Sequence, residues 1–252
     1  MENVLITQEL TEANILSLCR HEILAVRVEG SINAADYYSA LPALLDSATL
    51  KHVRTPKVEL WWLGHSVFET VPDQGNSVAS NEALRSLFRP LISPTEYLST
   101  LFRRGWPSGT VALEFGGRVP GLGMFRFMRG NGESLPHQDD VRWIHQCPEE
   151  LRRPKGQLAA ILYLTVPQSG GELCLWDSSL TLQSYRELQG QNMFGIDWNL
   201  VSPPSVRLAP KAGEVIIFDS TKLHAVRPFA GERMTYICFA GITGGNKMSV
   251  WA

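Results

Sequence analysis

The chain is poor in cysteine, with only Cys19, Cys147, Cys174 and Cys238 among 252 residues. They form no CxxC pair and none of the Cys/His spacings of a zinc ribbon or finger. Cys174 and Cys238 fall inside apolar strand-like runs, where a buried inert thiol is expected and a disulfide is not. Long hydrophobic runs are also absent. The most apolar stretch, Leu158–Val166, is far short of the roughly 20 residues needed to cross a bilayer, so no membrane partner is expected. Met1–Leu10 carries Glu2 and Glu9 and no basic residue, which does not read as a signal peptide. Neither charge dominates: 23 Lys and Arg against 25 Asp and Glu give a net charge of −2. That lacks the basic surface a sequence-independent nucleic-acid binder needs. The expectation is a cytoplasmic protein acting on a small molecule, with its oligomeric state open.

What is present is enough to fold. Hydrophobic residues make up 44% and charged residues 19%, which excludes a disordered chain, and the length suits one core over 1–252. Residues 1–109 read as mainly helical with a few short strands. Asn33–Ala48 has helical spacing of Tyr37, Leu41, Leu44 and Leu45 behind an Asn33 cap. A second helix follows Ser80 and closes at Pro90; a third follows Ser93–Pro94 and stops near Gly105. Ile23–Val28 and Val58–Leu63 read as strands. From residue 110 the pattern changes to short strands: Thr110–Phe115, Leu122–Met128, Leu158–Val166, Glu172–Trp176, Ser205–Leu208, Glu214–Phe218 and Arg233–Ala240. Gly116–Gly117, Pro120–Gly121, Gly130, Gly170–Gly171, Pro203–Pro204 and Gly213 punctuate them. Such a series argues an antiparallel sandwich or barrel, here with helices on one side.

Three features of the β-rich half carry chemistry. His137–Gln138–Asp139 follows a loop containing Gly130, Gly132 and Pro136. His224 comes just after the strand Glu214–Phe218, and Arg233 opens a strand nine residues beyond it. Each has an ordinary reading: a chance triplet, a histidine satisfied by a carbonyl, an arginine at a strand edge. Together they meet one requirement. Residues i and i+2 of an extended segment share a face, so His137 and Asp139 point the same way. Two imidazoles and a carboxylate on one side of a metal leave three positions open, the set suited to non-haem Fe(II). A nearby arginine adds a planar fork for a carboxylate.

The order HxD, His, Arg resembles the Fe(II)/2-oxoglutarate-dependent oxygenases. So do the stretches Leu164–Leu173, Leu208–Phe218 and Gly231–Thr235. The likeness is to the small-molecule branch that includes standalone carrier-independent halogenases and hydroxylases of amino acids and their derivatives, and it covers residues 110–252. It implies an α+β fold with a double-stranded β-helix (jelly-roll, cupin-like) core and an N-terminal helical layer. It also implies Fe(II) held by His137, Asp139 and His224, and 2-oxoglutarate bound at its distal carboxylate by Arg233 with Thr235. O2 would be the second co-substrate. The halogenases have Gly or Ala where this chain has Asp139, which favours hydroxylation over halogenation; desaturation and ring closure remain open.

Other residues are weaker candidates. Tyr163 either bonds the co-substrate or finds a partner in the core. Trp143 and Trp251 suit an aromatic pocket wall but equally a core. Arg126 and Arg129 alternate with Phe125 and Phe127, and an arginine on the inner side of that strand would suit a substrate carboxylate. His145 is too far from His137 to share its chelate, and a solvent or packing role is favoured over a substrate-facing one. The segment 178–206 is a long interstrand stretch that reads as a lid ordering over the site. Three other functions compete: oxidation of a protein side chain, a non-catalytic cupin-like metal-binding module, and a zinc hydrolase.

Overall fold

The computed structural model describes residues 3–251 apart from 47–49, 55–56, 65–66, 69–76, 114–121, 145–146, 148, 153 and 244–245. The expected turns at Gly116–Gly117 and Pro120–Gly121, and His145, lie outside the described residues. In chain order come β1 (Val4–Thr7), α1 (Glu12–Cys19), β2 (Ala25–Val28), α2 (Ala34–Ser39), α3 (Leu41–Leu45), β3 (Lys51–Arg54), β4 (Val58–Leu63), α4 (Ser77–Phe88) and α5 (Pro94–Gly105). Then follow β5 (Thr110–Ala112), β6 (Met124–His137), β7 (Gln157–Thr165), β8 (Ser169–Gly170), β9 (Leu173–Leu175) and α6 (Leu182–Gln189). The chain ends with β10 (Val206–Leu208), β11 (Val215–Asp219), β12 (His224–Ile242) and β13 (Met248–Trp251). No described helix is long and apolar enough to cross a membrane.

The main sheet runs β1-β2-β11-β7-β12-β6-β4-β3. β12 is the central strand. Its later half, from Met234 on, pairs with β7, while its first residues pair with β9 and β8, and β9 carries β10. One ladder between β6 and β12 runs from His224↔His137 to Ile237↔Met124 and so belongs to both layers. Gly130 and Gly231 face each other where it passes from one to the other, both at positive φ (113° and 107°), a region costly for other residues. The two layers then pack face to face: Leu173, Leu175 and Leu208 meet Ala159, Ile161, Ile216, Phe218 and Phe239. This is the double-stranded β-helix that the resemblance implies.

Alternation decides which side chains fill which space. On β12, Met234, Tyr236, Cys238 and Ala240 join Phe125, Phe127, Leu162 and Ile217 in a core closed by Ile15, Leu18, Tyr37, Leu41, Leu44, Phe88, Leu98 and Phe102 of the helices. The opposite face looks into the barrel. α5 forms as read: Ser93 and Glu96 cap each other, Pro94 occupies the first turn, and Arg103 and Arg104 end it.

Several expectations need correction. The helix read over Asn33–Ala48 is two: the Ala40 amide closes α2 on Tyr37 and Tyr38, and Pro42 restarts the chain in the first turn of α3, where its missing N–H costs nothing. α4 begins at Ser77, so Ser80 lies inside it rather than capping it. The first 109 residues hold β1 to β4 as well as helices, and all four strands join the main sheet. The stretch between Met128 and His137, read as a loop, continues β6, because Arg129–Gly132, Ser134 and His137 find partners on β12, and Arg129 and Gly130 on β4 as well. His224 likewise opens β12 instead of lying before it. The four cysteines are free thiols.

Candidate metal centre

The register of the main sheet sets out the barrel interior as a grid. One row across the strands is Phe218–Ala159–Phe239–Trp251, the next Ile216–Ile161–Ile237–Met124, and the next holds Tyr163–Thr235–Arg126. Arg233 lies beyond the last, on the same face as Thr235. The opposing layer brings His224 down onto the first row, its ring 5.0 Å from that of Phe218.

His137 is the last residue of β6 and His224 the first of β12, directly paired, so their rings meet at 4.1 Å. Asp139 follows from the chain leaving β6. Its Oδ2 lies 3.8 Å from His137 Nε2 and 3.5 Å from His224 Nε2, and one ligand atom from each residue fits within 4.8 Å of the others. Both imidazoles are oriented from behind: Nδ1–H of His137 donates to the Leu135 carbonyl at 2.7 Å and that of His224 to the Lys222 carbonyl at 3.0 Å. Each carbonyl is two residues before its histidine, and the bond fixes the tautomer that presents Nε2. Burial, with His224 alongside, pushes His137 down to about 4, so it is a neutral lone-pair donor. Burial pushes the Asp139 carboxyl up, but the two imidazoles and Arg126 outweigh it and hold it below its ordinary value. Two imidazole Nε2 atoms beside an ionised carboxylate are the donor set a divalent metal needs.

The backbone of Asp139 is fixed just as firmly. Its amide donates to the Ser220 carbonyl at 2.9 Å, and its own carbonyl accepts from Ser220 Oγ at 3.0 Å and from Gln157 Nε2. Gln157 Oε1 accepts from the Val141 amide at 3.0 Å. Between the two ligands, Gln138 donates to the Thr221 carbonyl at 2.7 Å and accepts from the Leu180 amide at 2.6 Å, joining the site to the start of segment 178–206.

At the deep end, Arg233 is buried beside Thr235 Oγ1 (3.4 Å), with its guanidinium 5.5 Å from the Tyr163 ring centroid. Burial lowers the Arg233 pKa and raises that of Tyr163, leaving a cation and a neutral phenol. Arg233 Nε and Tyr163 Oη have no hydrogen-bond partner, and no carboxylate pairs with Arg233 among the described residues. A buried guanidinium without an anion is costly, so this cradle fits a carboxylate from outside the chain.

The other sequence candidates divide. Arg126 faces the barrel on the Thr235 row, and its charge reaches His137, Asp139 and Arg233. Arg129 is on the opposite face, over Trp61 and Phe127 and paired with Glu232. Trp251 is fully buried in the barrel. Trp143 packs outside it, 5.2 Å from Tyr185 of α6. Segment 178–206 lies against the metal centre: Phe194, half exposed, has its ring 4.6 Å from His137, and the Ile196 amide donates to the Pro136 carbonyl. Phe194, Gln138, Gln157 and Ser220 were not singled out by sequence reasoning. They act through backbone groups or distant ring contacts, which leave no pattern in a single sequence.

Residues 123–241 match the family model of the 2OG-Fe(II) oxygenase superfamily. A curated relative, L-gamma-glutamyl-L-propargylglycine hydroxylase of Streptantibioticus cattleyicolor, is 27% identical over 162 residues, which is 63% of this chain and 59% of that protein. The fold is similar to that of an N-substituted L-amino acid dioxygenase from Burkholderia ambifaria AMMD, at TM-score 0.60 and 17% identity over 96% of this chain and 92% of that one. The same enzyme solved in complex with alpha-KG gives TM-score 0.60 and 18% identity, covering 96% and 91%. The matched segment, just under half of the chain, contains His137, Asp139, His224 and Arg233, so over the part that carries the site the chain is similar to the 2OG-Fe(II) oxygenase superfamily.

Proposed function

We propose that this protein is an Fe(II)- and 2-oxoglutarate-dependent dioxygenase that hydroxylates an unactivated C–H bond of a free amino acid or amino-acid derivative, with succinate and CO2 as co-products. One observation carries the reading: a buried His-Asp-His set, both Nδ1 atoms committed to carbonyls, shares a barrel with a buried guanidinium that has no carboxylate partner among the described residues. Metal binding alone does not call for that cation; binding a 2-oxo diacid does.

His137 Nε2, Asp139 Oδ and His224 Nε2 would hold the iron, leaving three positions open. Arg233, with Thr235 and Tyr163, would take the distal carboxylate of 2-oxoglutarate through a charge-assisted fork. When bound, Fe(II) with 2-oxoglutarate and O2 supplies the oxidising power for the C–H bond. The chain's own contribution is orientation and exclusion of water: the carbonyls of Leu135 and Lys222 aim the imidazoles, Gln157 and Ser220 fix Asp139, and Phe194 covers His137. Asp139 fills the third protein position, which supports hydroxylation over halide transfer. Arg126, on the inner face, suits a substrate carboxylate. The names of the two relatives describe amino acids substituted on nitrogen, which supports that substrate class here.

Anaerobic titration with Fe(II) and 2-oxoglutarate tests the reading. The expected result is a weak visible charge-transfer band that disappears in His224→Ala and Asp139→Ala. Tight metal binding without any band would leave a zinc hydrolase or a binding module instead.

A further inference from the structure

Eight large hydrophobic side chains are exposed among the described residues, and of these only Met193 and Phe194 are neighbours in the chain. Phe194 stands at the metal centre. It is 52% exposed although its ring lies 4.6 Å from that of His137, and Met193 beside it is fully exposed. Solvent reaches the metal position on this side: Asp139, whose Oδ2 is 3.8 Å from His137 Nε2, keeps 18% of its side chain exposed.

The backbone on both sides of the pair is fixed. Before it, α6 ends at Gly190, the Asn192 amide donates to the Gln189 carbonyl at 3.1 Å, and Gln189 Nε2 donates back to the Asn192 carbonyl. After it, Gly195 lies at φ 71°, and a Cβ there would stand 2.6 Å from Leu135 Cβ, so only glycine lets the chain come this close to β6. Ile196 is fully buried and its amide donates to the Pro136 carbonyl at 2.8 Å. Met193 and Phe194 are thus held outward between two anchors. Hydrocarbon kept in water is unfavourable in proportion to its area, and here it is kept where the molecule to be oxidised approaches. A carboxylate laid on these two side chains would shed its water without meeting a donor. An ammonium would gain only the weak pull of an exposed ring, against the positive charge of Arg126 that reaches His137 and Asp139. An alkyl chain covers both residues and loses nothing.

We propose that Phe194 and Met193 form an apolar subsite for the substrate's side chain, so that the enzyme prefers amino-acid derivatives with a hydrocarbon side chain to those ending in an ammonium or a carboxylate. This rests on the oxygenase reading above and names the side-chain class of its substrate. The probes are pairs with equal numbers of side-chain carbons, norleucine with lysine and norvaline with glutamate, each free and N-acetylated. They are assayed for succinate formation by the full chain loaded with Fe(II) and 2-oxoglutarate. Wild type is expected to favour norleucine and norvaline about tenfold or more in kcat/KM. Phe194→Ala is expected to raise KM for the best of them about tenfold with the charge-transfer band retained, and Phe194→Leu to recover most of the loss. A second measurement uses wild type alone, labelled with 13C-methyl methionine and holding Zn(II) and 2-oxoglutarate. Its Met193 methyl signal, identified by its loss in Met193→Leu, is expected to shift when the best substrate is added and to stay in place with lysine.

Preference for lysine or glutamate, an unchanged KM in Phe194→Ala, an unmoved Met193 signal, or no turnover of any panel member overturns the assignment. So does a Met193 signal that moves with protein concentration alone, which would give the patch to a second copy of the chain. The charge-transfer band separates the two failures: if it is missing in wild type, the oxygenase reading falls; if it forms, only this assignment does.

Discussion

His137 has its pKa pushed down to about 4 by burial and by its neighbour His224, against an ordinary 6.5. In the unfolded chain the imidazole takes up its proton first as the solution is acidified, so the folded state loses ground wherever the unfolded state binds more protons. Metal-free protein is therefore expected to hold full stability with respect to this group above pH 6.5, to lose it as pH falls toward 4, and to level off below. Asp139, held below its ordinary 3.8, extends the loss in the same direction at still lower pH. Denaturant midpoints across this range test the sign; a flat profile from 6.5 to 4 would mean the imidazole is not buried neutral. At Arg233 the expectation is geometric. Lysine keeps the charge but not the planar fork, so Arg233→Lys is expected to raise KM for 2-oxoglutarate by about tenfold or more while the metal still binds. Unchanged KM in steady-state assays would place the co-substrate carboxylate elsewhere.

Among the elements, α5 and β12 behave oppositely as objects of sequence reading. α5 has its start written locally, in Ser93, Pro94 and Glu96, and Ser93→Ala is expected to cost about 1 kcal/mol in equilibrium unfolding. β12 was legible only from Arg233 onward, where apolar residues alternate. Its earlier part, from His224 to Gly231, gains strand character from pairing with β6, β8 and β9 rather than from its own residues. Segment 178–206 is long enough to be read as a lid, but its anchors are not visible in sequence. Gln138 bonds at Leu180, Ile196 to Pro136, and the Trp198 indole to Glu133. Gln138→Ala removes the first of these, and limited proteolysis is expected to cut residues 181–195 several-fold faster than in wild type. Equal cleavage rates would show that the other anchors hold the segment alone.

Across the whole molecule, one buried ion pair fastens the N-terminal strands to the barrel. Arg27 of β2 makes a fork onto Glu214, with Nη2–Oε1 at 2.8 Å and Nε–Oε2 at 3.1 Å, next to the start of β11. Glu214 is 1% exposed and also accepts from the Lys211 amide at 2.7 Å. Arg27→Ala leaves that carboxylate buried without its cation, an expected loss of about 3–5 kcal/mol in equilibrium denaturation. A loss under about 1 kcal/mol would show that water reaches Glu214 in the variant.

The division between sequence and tertiary structure follows from what each can encode. Identity of chemistry is local: HxD, a later histidine and an arginine are the donor types that a metal and a diacid require, and no packing is needed to recognise them. Periodicity is local too, which is why Val58–Leu63, Leu158–Val166 and Glu214–Phe218 match β4, β7 and β11 closely. Only folding decided which carbonyls aim His137 and His224, which glutamine holds Asp139, and which ring covers the site. It also decided that Trp251 lies inside the barrel while Trp143 packs outside it. The reason is register. Two tryptophans are chemically alike in a sequence, and what separates them is the strand each pairs with and the face on which the pleat leaves its side chain.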